Sequence, residues 1–167
     1  MIHRLQTMPP ERGLPPEYAL RLARPEDGPA LASLLNAAYQ DHWDAARVNE
    51  VLLENDDVPL TWVVDRDGSV VAVASYQRMP AKFPESGFIH YVAADADHSG
   101  KGLGYAVTRA VLAHVASQSH DNVRLTTDDW RLPAIATYLK LGFEPESWHE
   151  SHPERWNVVL AKLGERP

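Results

Sequence analysis

The stretch Asp97-His98-Ser99-Gly100-Lys101-Gly102-Leu103-Gly104-Tyr105 constrains this chain more than any other. Its glycines stand at alternate positions, directly after an apolar run and directly before a helical pattern. Alternate glycines let a backbone turn sharply and approach a ligand closely, because no Cβ stands in the way. A helix that starts there presents unpaired N–H groups and the positive end of its dipole, which together suit a phosphate or pyrophosphate. The local architecture is therefore strand, turn and helix around an anion cradle.

A chain of 167 residues suits one domain with a real core. Residues 1–17 carry Pro9, Pro10, Pro15 and Pro16 and read as a mobile or draped arm, ahead of a single domain over 18–167. Composition, 44% hydrophobic and 23% charged, is that of a soluble globular protein. A formal charge of −7 argues against nonspecific binding to nucleic acid or anionic membrane, although 16 Lys plus Arg suffice for a local basic patch. The absence of cysteine excludes disulfides, a thiolate nucleophile and Cys-ligated zinc. With no signal-peptide core and no membrane-length apolar run, a cytoplasmic location is expected.

Along the chain, Tyr18 to Ala23 alternates as a strand, and Leu31, Leu34, Leu35 and Ala38 fall at helical spacing. A second helix is expected from Asp44 to about Glu54. Thr61–Asp65 and Val70–Tyr76 flank Asp67-Gly68, a hairpin signal. Phe88–Ala94 reads as a buried strand running into the glycines, and Gly102 to about Ser117 as the following helix. Asn122–Thr127 reads as a strand, Leu132–Leu139 as a helix capped by Gly142, and Trp156–Leu160 as a last strand. This order implies a mixed sheet with helices covering it.

The glycine frame discriminates among phosphate loops. A nucleoside-triphosphatase loop needs Gly-x-x-x-x-Gly-Lys-Ser/Thr, and Lys101 between Gly100 and Gly102 breaks it. A dinucleotide fingerprint needs a third small residue where Tyr105 or Val107 stands. Tyr91 through Gly104 instead resembles the coenzyme A signature of the GNAT superfamily of acetyl-CoA-dependent N-acetyltransferases, Gln/Arg-x-x-Gly-x-Gly/Ala. Gly102 and Gly104 match its small positions, and Ser99 stands where Arg or Gln is usual. Thr126 through Phe143 resembles the family's later block, with Ala134, Tyr138, Gly142 and Phe143 in place and Arg131 where Asn is common.

The resemblance, over roughly residues 18–163, implies an α/β (α+β) GNAT fold: a mixed, mostly antiparallel sheet with helices on both faces. It implies direct acetyl transfer from acetyl-CoA to a primary amine of a small molecule or peptide. In that scheme the N–H of Val92 stabilises the oxyanion, and Ala94 pairs with the pantetheine. The amides of Ser99, Gly100, Lys101, Gly102, Leu103, Gly104 and Tyr105 hold the pyrophosphate, and Arg131 faces the pantetheine. Tyr138 matches the general acid for the leaving thiolate; a core tyrosine is the plainer reading.

The base is open. His90 shares a strand face with Val92 and Ala94 by period-two alternation and titrates in a suitable range. Asp128 and Asp129 are a base, an ammonium anchor or a helix cap, and Glu85 is an outside candidate. His149-Glu150-Ser151-His152 falls short of a zinc pattern, so no metal is expected. The acceptor walls are expected at Tyr39–Trp43, Met79–Ser86, Asp129–Arg131 and Trp148–Trp156, whose aromatic and acidic content suits a cationic amine. A homodimer is compatible with this reading. The competing functions are transfer from a longer acyl-CoA and a non-catalytic CoA-binding or interaction module.

Overall fold

Asp67 and Gly68 both take left-handed backbone, with φ of 51° and 86°. Two such residues in succession match the twist of a two-residue hairpin. The turn joins β3 (Leu60–Arg66) to β4 (Ser69–Arg78). The computed structural model describes residues 1–39, 41–118 and 120–164. Around the hairpin lie β1 (Ile2–His3), β2 (Tyr18–Leu22), β5 (Ser86–Ala94) and β6 (Asn122–Arg124). The sheet order is β1-β6-β5-β4-β3-β2. All neighbours are antiparallel except β5 and β6.

Helices cover both faces. On one side α1 (Gly28–Tyr39) and the turn containing α2 (Ala45–Val48) bury Leu31, Leu35, Val48 and Leu52 against Val63, Val73 and Ala93. On the other, α3 (Leu103–Ala116) and α4 (Leu132–Lys140) bury Val107, Val111, Ile135 and Tyr138 against Val64, Ala74 and Ile89. The expected mixed, mostly antiparallel GNAT-type sheet is therefore present. Among the described residues, no helix is long and apolar enough to cross a membrane.

Two regions differ from the expectation. Trp156–Leu160 lies within α5 (His152–Gly164), not a strand. Its β-branched run suggested extended chain, but Pro153 suits a first helical turn, and Trp156, Val159 and Leu163 form the face that meets the core. The edge position beside β6 is taken instead by β1, with Ile2 opposite Arg124 and a bridge from Ile2 to Glu144. The segment after β1 drapes along α3: Arg109 Nε donates to Pro9 O at 2.9 Å and Tyr105 Oη to Pro10 O at 2.8 Å. Leu5, Met8 and Leu14 pack on the core beside them.

The start of α1 is pinned by charge. Arg21 donates twice to Asp27, at 2.7 and 2.9 Å, and once to Asp65 at 2.8 Å. The guanidinium holds both carboxyls below their usual range, tying β2 and β3 to the first turn before α1.

Gly87 sets how closely α3 lies on the sheet. A Cβ there would stand 2.5 and 2.9 Å from the Val115 methyls. Gly87→Ala is therefore expected to destabilise the fold by about 1–3 kcal/mol through overpacking, read as a lowered urea midpoint at unchanged slope.

Candidate active site

Beyond Ala94 the chain leaves the sheet through a short turn, Ala96–His98, capped by Asp95 Oδ1 accepting from Asp97 N at 2.9 Å. Gly100 and Gly102 both sit at φ 76°, where a side chain would be strained. Ser99 N donates to Ala96 O at 3.1 Å, so this amide of the expected cradle is already satisfied. Among the described residues, the backbone N–H groups of residues 100–105 donate to no protein acceptor. A Cβ on Gly104 would meet nothing within 4 Å. A run of free donors at the positive end of α3, facing open space, fits a pyrophosphate. The exposed Lys101 lies within it, while the Tyr105 side chain turns inward and carries Arg12 over its ring at 4.4 Å.

Next to the cradle the sheet parts. β5 and β6 pair only from Ser86↔Asn122 to Phe88↔Arg124. β5 then continues to Ala94 while the chain after Arg124 leaves the ladder. A bulge interrupts β5 where its register against β4 shifts between Ser75↔His90 and Val73↔Ala93. At that point Tyr91 takes φ 46°, an uncommon conformation for a bulky residue. The bulge breaks strict alternation. His90 and Tyr91 rings lie 3.9 Å apart, whereas Val92 packs toward the α3 side. His90 therefore does not share the face of Val92, as period two had suggested.

Tyr39 closes the site from α1. Its hydroxyl donates to Val92 O at 2.8 Å, and its ring meets Tyr91 edge-on at 5.6 Å. Trp43 meets the same Tyr91 ring at 4.9 Å. Gln40, within the expected Tyr39–Trp43 wall, lies outside the described residues. The Arg131 guanidinium stacks over Tyr39 and Trp130, each at 4.5 Å, while Nε donates to Asp128 Oδ2 at 2.9 Å. Tyr138 is buried on α4 against Phe143. Burial holds its hydroxyl well above the ordinary phenol pKa, Tyr39 adds to the rise and Arg131 opposes it. Burial likewise pushes Tyr39 up to about 12. Both phenols are protonated at working pH.

The base candidates separate in space. Burial lowers His90 to about 4, so its imidazole is neutral near pH 7 and a weaker base than an exposed histidine. Asp128 and Asp129 do not cap α4, whose N-cap Arg131 has no side-chain cap bond. Asp128 pairs with Arg131 instead, and Asp129 takes Arg155 bidentately at 2.7 and 2.8 Å. That pairing holds Asp129 below its usual range and occupies both its oxygens. Glu85 is exposed in the loop before β5. No group of three His, Cys, Asp or Glu able to hold a metal occurs among the described residues.

Residues 28–143 match the model of the Acetyltransferase (GNAT) family. The chain belongs to the GNAT acetyltransferase family. A mycothiol acetyltransferase from Kytococcus sedentarius is 32% identical over 121 residues, covering 71% of this chain and 36% of that protein. Mouse N-acetyltransferase 8F1 is 32% identical over 87 residues, covering 50% of this chain and 38% of that one. The GNAT chain thus spans well under half the length of these curated relatives.

Among solved structures, a Trypanosoma brucei acetyltransferase superposes with a TM-score of 0.65 at 24% identity, covering 79% of this chain and 96% of that one. Diaminobutyrate acetyltransferase EctA from Paenibacillus lautus, in complex with L-2,4-diaminobutyric acid and coenzyme A, superposes at 0.60 and 19% identity over 76% and 74%. At these identities the likeness concerns the fold.

Tyr39's bond to Val92 and the left-handed Tyr91 are the GNAT-site features that sequence reading passed over as specific contacts. Nothing local marks either. A tyrosine at a helix end and a tyrosine in an apolar strand are both ordinary until the fold brings them together.

The His90 value carries a pH consequence. Its pKa is lower folded than unfolded, so the unfolded chain binds the extra proton, and stability falls as pH drops from about 6.5 toward 4. His90→Gln is expected to shrink the difference in unfolding free energy between pH 7.5 and pH 5, measured by urea titration at each pH.

Proposed function

We propose that this chain is an N-acetyltransferase that moves an acetyl group from acetyl-CoA to a primary amine of a small molecule or peptide. The observation that carries this reading is the run of unpaired N–H groups at residues 100–105, opening beside the point where β5 and β6 part. The CoA bound in the EctA complex agrees with it at the level of fold.

When bound, acetyl-CoA would supply the acyl group as an activated thioester. The amides of residues 100–105 would hold its pyrophosphate, with Lys101 adding charge at the rim. Ala94 and Val92 offer the free edge of β5 to the pantetheine arm. In extended chain a residue's N–H and C=O face the same edge. Asp95 N donates to Val71 O of β4 at 2.9 Å, so by alternation Ala93 and Asp95 face β4 while Val92 and Ala94 face the parted side, where the Val92 N–H would serve as the oxyanion donor. Arg131 sits beside Tyr39 and Tyr138 and favours negative charge developing near them.

Tyr138 acts as the acid. Burial keeps the proton on its oxygen at working pH, so the hydroxyl can hydrogen-bond and donate toward the departing sulfur; a thiol of pKa about 8.5 leaves readily, which makes that help modest. Neutral His90, its basicity lowered by burial, would accept a hydrogen bond from the amine, directly or through water, on the side of the sheet that carries Tyr91, Tyr39 and Trp43, while the proton leaves to solvent. Asp128 orients Arg131.

Calorimetry with acetyl-CoA and CoA tests the cradle: wild type binds both, and Gly104→Trp, which fills the open space, loses binding. Tyr138→Phe is expected to lower kcat roughly 10- to 100-fold with CoA affinity nearly unchanged, followed by released CoA thiol. Absence of CoA binding by the wild type would overturn the reading.

A further inference from the structure

A cavity of about 440 Å³ opens between the loop before β5 and the start of α5, lined by Lys82, Trp148, His149, Ser151, His152 and Arg155. No carboxylate is among these residues, in a chain whose net charge is −7. Lys82 has no acidic partner among the described residues; its Nζ lies 5.2 Å from the ring centre of Phe83 and 5.7 Å from that of Trp148.

The histidines are held as donors. Trp148 N donates to His152 Nδ1 at 3.4 Å, and Ser151 N donates to His149 Nδ1 at 3.2 Å. A nitrogen that accepts from a backbone N–H carries no proton, which leaves Nε2 of each ring as the donor; Ser151 Oγ, 2.9 Å from His149 Nδ1, then donates to it as well. Arg155 spends Nε and one terminal nitrogen on Asp129 and keeps Nη1. The adjoining cavity, about 230 Å³, contains Asp129 and Glu146. Their charges are taken up by Arg155 and by Arg124, respectively. The lining of the larger cavity thus offers hydrogen-bond donors from Lys82, Arg155 and the two histidines, with the charge of Lys82 left unpaired among the described residues. An ammonium would be repelled there; an oxyanion, which only accepts, would be complemented.

Position ties this cavity to the acceptor side. Phe88 precedes His90 by one strand repeat, so the two share a face of β5. Phe83 stacks between Phe88 and Trp148, with centroids 5.9 Å apart on each side and interplanar angles of 6° and 10°. An aromatic wall therefore runs from the face of His90 and Tyr91 to the rim of the basic cavity.

We propose that this cavity is an anion subsite that binds a carboxylate or phosphate carried by the amine acceptor. The acceptor class is then an amine whose apolar body is long enough to lie along Phe88, Phe83 and Trp148, two ring steps of 5.9 Å each, with the anion at its far end and its amine directed to His90. The assignment rests on the acetyl-transfer reading for the acceptor's identity, but not for the binding of the anion itself.

Two measurements test it. The first compares acetylation of matched pairs, 12-aminododecanoate with dodecylamine and 12-aminododecyl phosphate with dodecylamine, by released CoA thiol. The acid-bearing member should have a kcat/KM at least about tenfold higher, and Lys82→Ala or His152→Ala should raise its KM about tenfold while leaving the plain amine unchanged. No preference for either acid, or equal losses on both members, overturns the subsite.

The second needs no acyl donor: tryptophan fluorescence is titrated with 3-phenylpropionate and with inorganic phosphate. A saturable change is expected, lost in the Lys82→Ala/His152→Ala double variant and in Trp148→Phe. Saturation by one anion and not the other decides between carboxylate and phosphate. No saturable change with either, or a change that survives Trp148→Phe, overturns the subsite. Anion binding without acetylation of any amine would remove the transfer reading and keep the subsite; turnover of plain amines without anion binding would do the reverse.

Discussion

The site depends on the divergence of two parallel strands. β5 and β6 hold together from Ser86↔Asn122 to Phe88↔Arg124 and then separate. Where they separate, the backbone of β5 has no ladder partner on that side, and unpaired N–H and C=O groups must find another. One carbonyl, that of Val92, is met by a hydroxyl from α1. Gly87 lies within the paired segment, and its missing side chain lets α3 seat against the strand. The start of α3, with its free amides, is thereby brought to the mouth of the opening. Tight packing at the closed end of the sheet and an exposed edge at the other are parts of one arrangement.

Charge is distributed around that opening with a consistent logic. The deeply placed groups are neutral at working pH: burial raises Tyr39 and Tyr138 and lowers His90. The same burial penalises the charge that loss of a proton from either phenol, or gain of one by the imidazole, would leave. Formal charges sit nearer the rim and are paired, Arg131 with Asp128 and Arg155 with Asp129. Two lysines stand apart from these pairs, Lys101 exposed in the glycine turn and Lys82 at the cavity beside α5.

Features set by local chemistry were legible in the sequence. Asp67-Gly68, Gly100 and Gly102 take the positive φ that few other residues tolerate, whereas Gly104 lies in the first turn of α3 without it. The helix around Tyr138, closed by Gly142 at φ 89°, belongs with them. What could not be read depends on partners distant in the chain. The bulge at Tyr91 is an accommodation between β4 and β5, and period two gave no warning that His90 would leave the face of Val92. Asp128 and Asp129 looked like a cap because a helix follows; the guanidinium groups that claim them come from Arg131 and Arg155. Trp156–Leu160 misled for a different reason. Its β-branched composition outweighed a helical spacing that needs Leu163 to become visible.

The position of β1 has a consequence for the order of assembly. The β3–β4 hairpin closes through a two-residue turn, whereas Ile2 must find Arg124 across most of the chain. Loop-closure entropy rises with the length of chain enclosed, so contacts of the first kind form at less expense than those of the second. The edge strand beside β6 is then a late arrival that settles on a sheet already built. Until it docks, β6 has a single ladder neighbour, through its short parallel contact with β5. The strand that borders the catalytic opening therefore gains its second neighbour at the last stage of folding.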